Sequence, residues 1–392
     1  MMHRTWFWRI TTLTLVLLSI SACAPAPAGL PTAVNATATP QTQPIHPTAV
    51  HNSASSPAPS AVSPTSAATA PALKSGKSDP TSLALSADGR TLAFGTAQGI
   101  YAYDAASQKQ LWFKAMANNP AALAFSPDSS RLFVGSAYPY GSAVKNLSVL
   151  SGSTGDVLVQ INADGDAQGS WSPDGKKLLT SGDCQEVEVR EALTAKLIHT
   201  LLGAQCNTTD PGYAYAFWSW DGARIFVLQG SRISSWDAST YNPQAGFTPD
   251  LPPYATGLSY VVLQSPTEDL LALENGANIA VLDEKTGKTL RLLAGTQTGF
   301  PVGNMAWSPD GKRLAAGFAD GQFVWDANTG QQIAHLKDYP TPFYSDSIVA
   351  PTLAWLPDNH TLVGLISTSG ALNAVDLDTS KISFSLSGWS NP

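Results

Sequence analysis

The sequence predicts an all-β fold, a β-propeller of seven blades, each a four-stranded antiparallel meander with strands a to d. Three observations predict it. In residues 305–336, apolar runs at Met305–Trp307, Leu314–Phe318, Gln322–Trp325 and Gln332–Leu336 are broken by Ser-Pro-Asp-Gly, Asp-Gly and Asp-Ala-Asn-Thr-Gly turns, as in a meander of half-buried strands. The a–b turn then recurs seven times, as Ser86-Ala-Asp88-Gly89, Ser126-Pro-Asp128, Ser172-Pro-Asp174-Gly175, Ser219-Trp-Asp221-Gly222, Ser265-Pro-Thr267, Ser308-Pro-Asp310-Gly311 and Leu356-Pro-Asp358-Asn359. A c–d turn recurs independently, as Asp104/Ser107, Ser151/Thr154, Glu191/Thr194, Asp237/Thr240, Asp283/Thr286, Asp326/Thr329 and Asp376/Thr379. At this turn a carboxylate accepts backbone N–H groups two or three residues on, and a Gly after the Thr supplies a left-handed residue. One isolated meander has open edges and too little core, so repetition every 40–50 residues means a closed array of blades.

Blade 1 is expected at about 81–114, blade 2 at 121–160, blade 3 at 168–202 and blade 4 at 214–247. Blade 5, at about 258–293, lacks the Asp-Gly turn and is the weakest copy; blade 6 is the unit described above, and blade 7 spans about 352–387. Each blade completes itself, so closure by packing of blade 7 on blade 1 is expected, with a strand from 73–79 as the alternative. Trp171, Trp218, Trp307 and Trp355 recur at one strand-a position and are expected as wedges between blades.

Trp236-Asp237, Trp325-Asp326 and Tyr103-Asp104, with the Ser-Pro-Asp-Gly turns, resemble the WD-repeat propellers over about residues 81–387. The resemblance implies the fold and says little about activity. That family usually carries a Gly-His pair between strands d and a, and this chain has no Gly-His dipeptide; the resemblance is to a divergent bacterial branch. Asp283-x-x-Thr-Gly-Lys288 and the Asp104–Trp112 segment also resemble quinoprotein-like repeats.

Ahead of the blades, Arg4 and Arg9, the apolar run Ile10–Ile20 and the small residues before Cys23 read as a secretory signal peptide over 1–22. Ile20-Ser-Ala-Cys23 resembles the bacterial lipobox, which implies lipidation of Cys23; an ordinary signal peptide with a chance Cys is the alternative. Firm anchoring would need more than one acyl chain. Residues 24–80, rich in Ala, Pro, Ser and Thr and free of aromatics, are expected to be a disordered linker. As a coil it would reach roughly 40 Å. Its composition also suits O-linked sugars. The folded part would then be membrane-tethered and extracytoplasmic, at the cell surface or in a periplasm.

Of the 22 Lys and Arg, four lie in residues 1–80 with one of the 29 acids, which leaves 18 bases against 28 acids beyond. That balance excludes nucleic acid and anionic membrane as favoured partners, apart from the lipid anchor itself. A monomer without a cofactor is expected.

In an a-b-c-d meander the a–b and c–d turns share one face, and the b–c and d–a connections leave from the other. Long connections at 137–146, 203–213, 248–257, 294–304 and 337–351 make that second face the candidate for partner binding. They carry Tyr138, Tyr140, Tyr213, Tyr254, Phe300, Tyr339, Phe343 and Tyr344, with acids that include Asp250 and Asp338. Aromatics with few bases suit a protein, a peptide or a sugar. Rings that merely pin their own loops are the alternative. Cys184 and Cys206 fall on connections of that same face around one blade, so a disulfide is feasible, against two free thiols. Asp104, Asp237, Asp283, Asp326 and Asp376 are structural turn residues.

The sequence carries no recognisable catalytic pattern. Asn162-Ala-Asp164-Gly-Asp166 has oxygen ligands but no following Glu for an EF-hand-like loop, and is taken as a polar turn with no metal. His199, His335 and His360 are not spaced as ligands, and no G-x-S-x-G, H-E-x-x-H or phosphate loop occurs. Three functions remain. The first is a non-catalytic scaffold for an envelope protein or peptide. The others are a module for glycan or surface polymer (polysaccharide), and a propeller enzyme of lactonase or quinoprotein type.

Overall fold

A computed structural model describes residues 80, 82–116, 120–136, 146–162, 167–182, 186–203, 214–251, 262–275, 278–295, 304–318, 320–339, 353–366 and 371–386. The chain divides into two units, Met1–Thr65 and Ser66–Pro392, and every described residue lies in the second. No helix occurs among the described residues.

Blade 1 holds Ser82–Leu85, Thr91–Thr96, Gly99–Asp104 and Gln110–Ala115 as strands a to d; blade 2 holds Pro120–Phe125, Arg131–Ser136, Asn146–Ser151 and Val157–Asn162. Blade 3 is Ala167–Trp171, Lys177–Gly182, Val187–Glu191 and Leu197–Leu202; blade 4 is Ala214–Trp218, Arg224–Gln229, Arg232–Asp237 and Pro243–Phe247. Blade 5 is Val262–Gln264, Leu270–Asn275, Asn278–Asp283 and Thr289–Ala294; blade 6 is Asn304–Trp307, Arg313–Phe318, Gly321–Asp326 and Gln332–Leu336. Blade 7 is Ala354–Trp355, Thr361–Ile366, Leu372–Asp376 and Lys381–Leu386. Each blade is its own sheet in the order a-b-c-d, all antiparallel, so the seven-bladed propeller is as expected.

The ring follows from where the apolar side chains go. Strands b and c are buried on both faces, as in Leu314–Phe318 and Gly321–Trp325, while strands d are largely exposed. The core is therefore seven clusters, each shared by two neighbouring blades. Leu270, Ile279 and Val281 of blade 5, for example, pack with Met305, Leu314 and Trp325 of blade 6. The last cluster joins Leu83, Leu92 and Phe94 of blade 1 to Val363, Leu372 and Phe384 of blade 7. Closure is thus by packing of blade 7 on blade 1, with no exchanged strand among the described residues. Residues 73–79 lie outside those described.

The recurring strand-a tryptophans do more than fill space. Each donates its indole N–H to a strand-a carbonyl of the preceding blade: Trp171 to Ala124 at 2.9 Å, Trp218 to Ser170 at 3.2 Å, Trp307 to Leu263 at 3.3 Å and Trp355 to Ala306 at 3.0 Å. An inward-facing carbonyl is thereby satisfied without water, which an aliphatic wedge could not do.

Every c–d hairpin also breaks register, once in six blades, as between Val324 and Trp325, and twice in blade 3. The break follows a left-handed residue placed fourth after the turn acid or Ser: Gly155, Gly287 and Gly330, but also Gln108, Ala195, Tyr241 and Ser380. Such bulges twist the outer strand and blunt its unpaired edge.

Three expectations follow for stability. Ser380 has φ +55° on an exposed turn, so Ser380→Gly should stabilise by about 1 kcal/mol. Gly155→Ala should do the opposite, because at φ +73° a Cβ would also meet the Trp112 ring at 2.6 Å. Trp355→Phe should cost about 1–3 kcal/mol by leaving the Ala306 carbonyl without a donor. Urea unfolding of the three variants checks all three signs.

Candidate functional site

The two ends of the ring differ in what their side chains are free to do. On the turn face each a–b hairpin closes on itself. The hydroxyls of Ser86, Ser126, Ser172 and Ser219 donate to the carboxylates of Asp88, Asp128, Asp174 and Asp221, each at 2.6 Å. The same Ser oxygens accept the N–H of the residue that begins strand b, for instance Arg224 at 2.9 Å. Blade 5, with Thr267 in place of the Asp, has neither that bond nor the left-handed turn residue.

The c–d turns are equally self-contained. Asp237 accepts the N–H groups of Ser239 at 3.0 Å and Thr240 at 2.8 Å, and both their hydroxyls. Asp283 and Asp326 do the same with Thr286 and Thr329, Asp104 with Ser107, and Asp376 with Thr379. These donors stabilise the charged form. Asp237 is pushed down to about 2, chiefly by the Ser239 hydroxyl and the Thr240 N–H. Asp104 and Asp283 are lowered first by the neighbouring hydroxyl, Asp326 and Asp376 first by a backbone N–H. The five acids act as hairpin clamps, with these donors gathered on one carboxylate oxygen, Oδ1. No group of three or more His, Cys, Asp or Glu among the described residues is placed to hold a metal.

Neighbouring turns are then laced together across the blade seams. Asp88 N–H reaches the Ser129 hydroxyl at 3.2 Å, and Asp310 N–H the Asn359 side-chain oxygen at 2.9 Å. At the rim, the first residue of strand b reaches the c–d turn of the next blade. Lys177 Nζ donates to the Ala238 carbonyl at 3.1 Å, Arg224 donates to Glu284 at 2.8 Å, and Arg313 lies 3.7 Å from Asp378. The Arg224–Glu284 contact was not anticipated from sequence. A signal for it existed: aligned by turn, Glu284 stands where the other blades have Ala105, Gly152, Ala192, Ala238, Ala327 and Leu377.

On the opposite face, Tyr339 is the one predicted contact aromatic within the described residues. It is half-buried against the cluster of Ala306, Leu353 and Trp355 between blades 6 and 7, and its carbonyl accepts the Gln322 side-chain amide at 2.9 Å. Burial, then the charge of Asp338, raises its phenol. Tyr339 therefore anchors the base of its connection. Asp250 also sits differently from its expected place. The end of blade 4's outer strand lies over the next blade's c–d turn, where Phe247 crowds Gly287, Asp250 N–H donates to the Gly287 carbonyl at 3.1 Å and Thr289 donates to the Asp250 carbonyl. Blade twist explains this, since it swings outer strands away from the ring axis. Cys23, Tyr138, Tyr140, Cys184, Cys206, Tyr213, Tyr254, Phe300, Phe343 and Tyr344, with the Asp164–Asp166 segment, lie outside the described residues.

Comparison with known proteins agrees with the architecture. A family model described as the anaphase-promoting complex subunit 4 WD40 domain matches residues 262–349, from strand a of blade 5 through blade 6 and beyond. No curated protein matches the chain. With its seven four-stranded blades, the folded part is a WD40-like β-propeller.

A pH dependence follows from the clamps. Because their folded-state values lie below the ordinary 3.8, they add stability above that value and lose it as pH falls through the lowered ones. Urea midpoints should therefore drop steeply between about pH 4 and pH 2, where Asp237 titrates. Asp237→Asn should show a shallower drop.

Proposed function

We propose that this chain is a membrane-tethered, extracytoplasmic scaffold that binds an envelope protein or peptide and performs no catalysis. One observation carries the reading. The turn face spends its polar groups on its own hairpins and seams, as the Asp237 and Ser219 networks illustrate. Binding is left to the end from which the long b–c and d–a connections leave. The WD40-like match supports the same use, since propellers of this kind generally bind proteins.

In this reading Tyr138, Tyr140, Phe343 and Tyr344 supply contact area, and Tyr339 holds the foot of the 337–351 connection in place. A disulfide between Cys184 and Cys206 would close a loop of about 22 residues and stiffen the 203–213 connection, worth roughly 3 kcal/mol. Cys23 would carry the lipid, and residues 24–80 would hold the ring away from the bilayer.

The test is recovery of the tagged full chain from solubilised envelope, beside a Tyr138→Ala, Tyr140→Ala, Phe343→Ala, Tyr344→Ala variant. A protein retained by the parent and lost from the variant is expected. Identical retention by both would remove the site assignment, and retention on surface polysaccharide alone would replace the protein partner with a glycan. Separately, labelling with radioactive palmitate should mark the parent and leave Cys23→Ser unlabelled.

A further inference from the structure

The seam between blades 4 and 5 is built differently from its neighbours. At the strand-a position of Trp171, Trp218, Trp307 and Trp355 it has Gln264, which turns its amide back into its own blade and donates to the Glu268 and Leu270 carbonyls at 3.0 and 3.2 Å. The indole bond to the preceding blade is therefore missing. Apolar packing remains, with Phe226, Leu228 and Ile233 of blade 4 against Leu271, Leu273 and Leu282 of blade 5. Polar links across the seam lie at the rim: the Trp220 indole donates to Asp269 at 2.8 Å, the Asp250 segment bonds to Gly287 and Thr289, and Arg224 Nη2 donates to Glu284 Oε1 at 2.8 Å.

Glu284 is an unusual acid for this fold. Its side chain is 1% exposed, against 23% for Arg224, and its second oxygen, Oε2, has no hydrogen-bond partner. Around it stand Arg224 and Asp221 from blade 4, with Asp269, Gln264 and the adjoining Lys285 from blade 5. Lys285 is committed to Asp269, which also takes the Trp220 indole N–H at 2.8 Å. One half-satisfied, buried carboxylate thus faces a single available cation. Burial raises its affinity for a proton, Arg224 and the neighbouring Gln264 amide oppose this, Asp269 and Asp221 add to it, and the balance stands at about 7.

We propose that Arg224 and Glu284 form a proton-operated joint between blades 4 and 5, an ion pair at the rim of a seam that lacks the strand-a indole bond, released when Glu284 takes up a proton. The neutral acid needs no cation, so Arg224, already partly exposed, is free to turn to water. Stability moves in the opposite sense to the joint. The folded chain holds this proton more tightly than the unfolded chain does, so ionising Glu284 lowers stability as pH rises from about 4.5 through about 7. The ion pair is made but strained on the alkaline side, and the seam is relaxed but without that pair on the acid side.

The experiment compares the full chain with Glu284→Gln, a neutral isostere, and with Arg224→Met. Thermal unfolding is followed from pH 5 to pH 8, with hydrogen exchange of peptides covering 262–275 corrected for intrinsic rates. Glu284→Gln should gain on the parent as pH rises, by on the order of a few degrees in Tm at pH 8, and the gap should close by pH 5. Arg224→Met should lose Tm at pH 8 and recover towards the parent at pH 5. Exchange in 262–275 should quicken on acidification in the parent and stay level in Glu284→Gln. Parallel Tm profiles for parent and Glu284→Gln, or exchange in 262–275 that responds equally in both, would overturn the joint.

Discussion

A four-stranded sheet with apolar side chains on both faces cannot fold alone, and this single constraint shapes the rest of the molecule. Each blade exposes two faces that only another blade can cover. The result is seven clusters at seven seams, from the Ala93 and Leu132 cluster between blades 1 and 2 to the Leu83 and Phe384 cluster that closes the circle. In an open stack the end blades would need polar caps. Here blade 7 serves as the partner of blade 1, and Pro357 rests on Gly89 across that last seam.

With apolar burial assigned to the seams, polar groups have two tasks. They must satisfy backbone at the hairpins, and they must tie one blade to the next without water. The Ser–Asp and Asp–Thr clamps do the first, and the strand-a indoles do most of the second. A carboxylate already holding two to four donors offers little to a metal or a substrate. The aspartates of this face thus serve their own hairpins, and under the proposed function recognition falls to the irregular connections at the other end of the ring.

Departures from the repeat concentrate in blades 4 and 5. Tyr241 holds the left-handed turn position at φ +59° where blades 2, 5 and 6 use glycine. Its ring is stacked on His199 at 4.8 Å and lies 5.0 Å from Lys177 Nζ, contacts that a glycine would forgo. Blade 5 has a three-residue strand a, no Asp-Gly turn and no indole. Its weak repeat signal in the sequence and its different seam chemistry share one cause: it lacks the Asp-Gly turn and the strand-a indole that blades 3, 4 and 6 share.

The amino-acid sequence alone determined the number of blades, the order of strands within each, the roles of Asp104, Asp237, Asp283, Asp326 and Asp376, and the wedging of the four tryptophans. These are decided within a few residues, by turn chemistry and by alternation, and such local physics repeats visibly along a chain. Only the tertiary structure decided which carbonyl each indole would meet, that Tyr339 would sink into a seam, that Asp250 would lie on a neighbouring turn, and that Arg224 would find Glu284. Those partners stand tens of residues apart, 47 for Trp171 and Ala124 and 60 for Arg224 and Glu284. They meet because closing the ring sets each blade, twisted by the handedness of its strands, against the next. No local pattern contains that geometry.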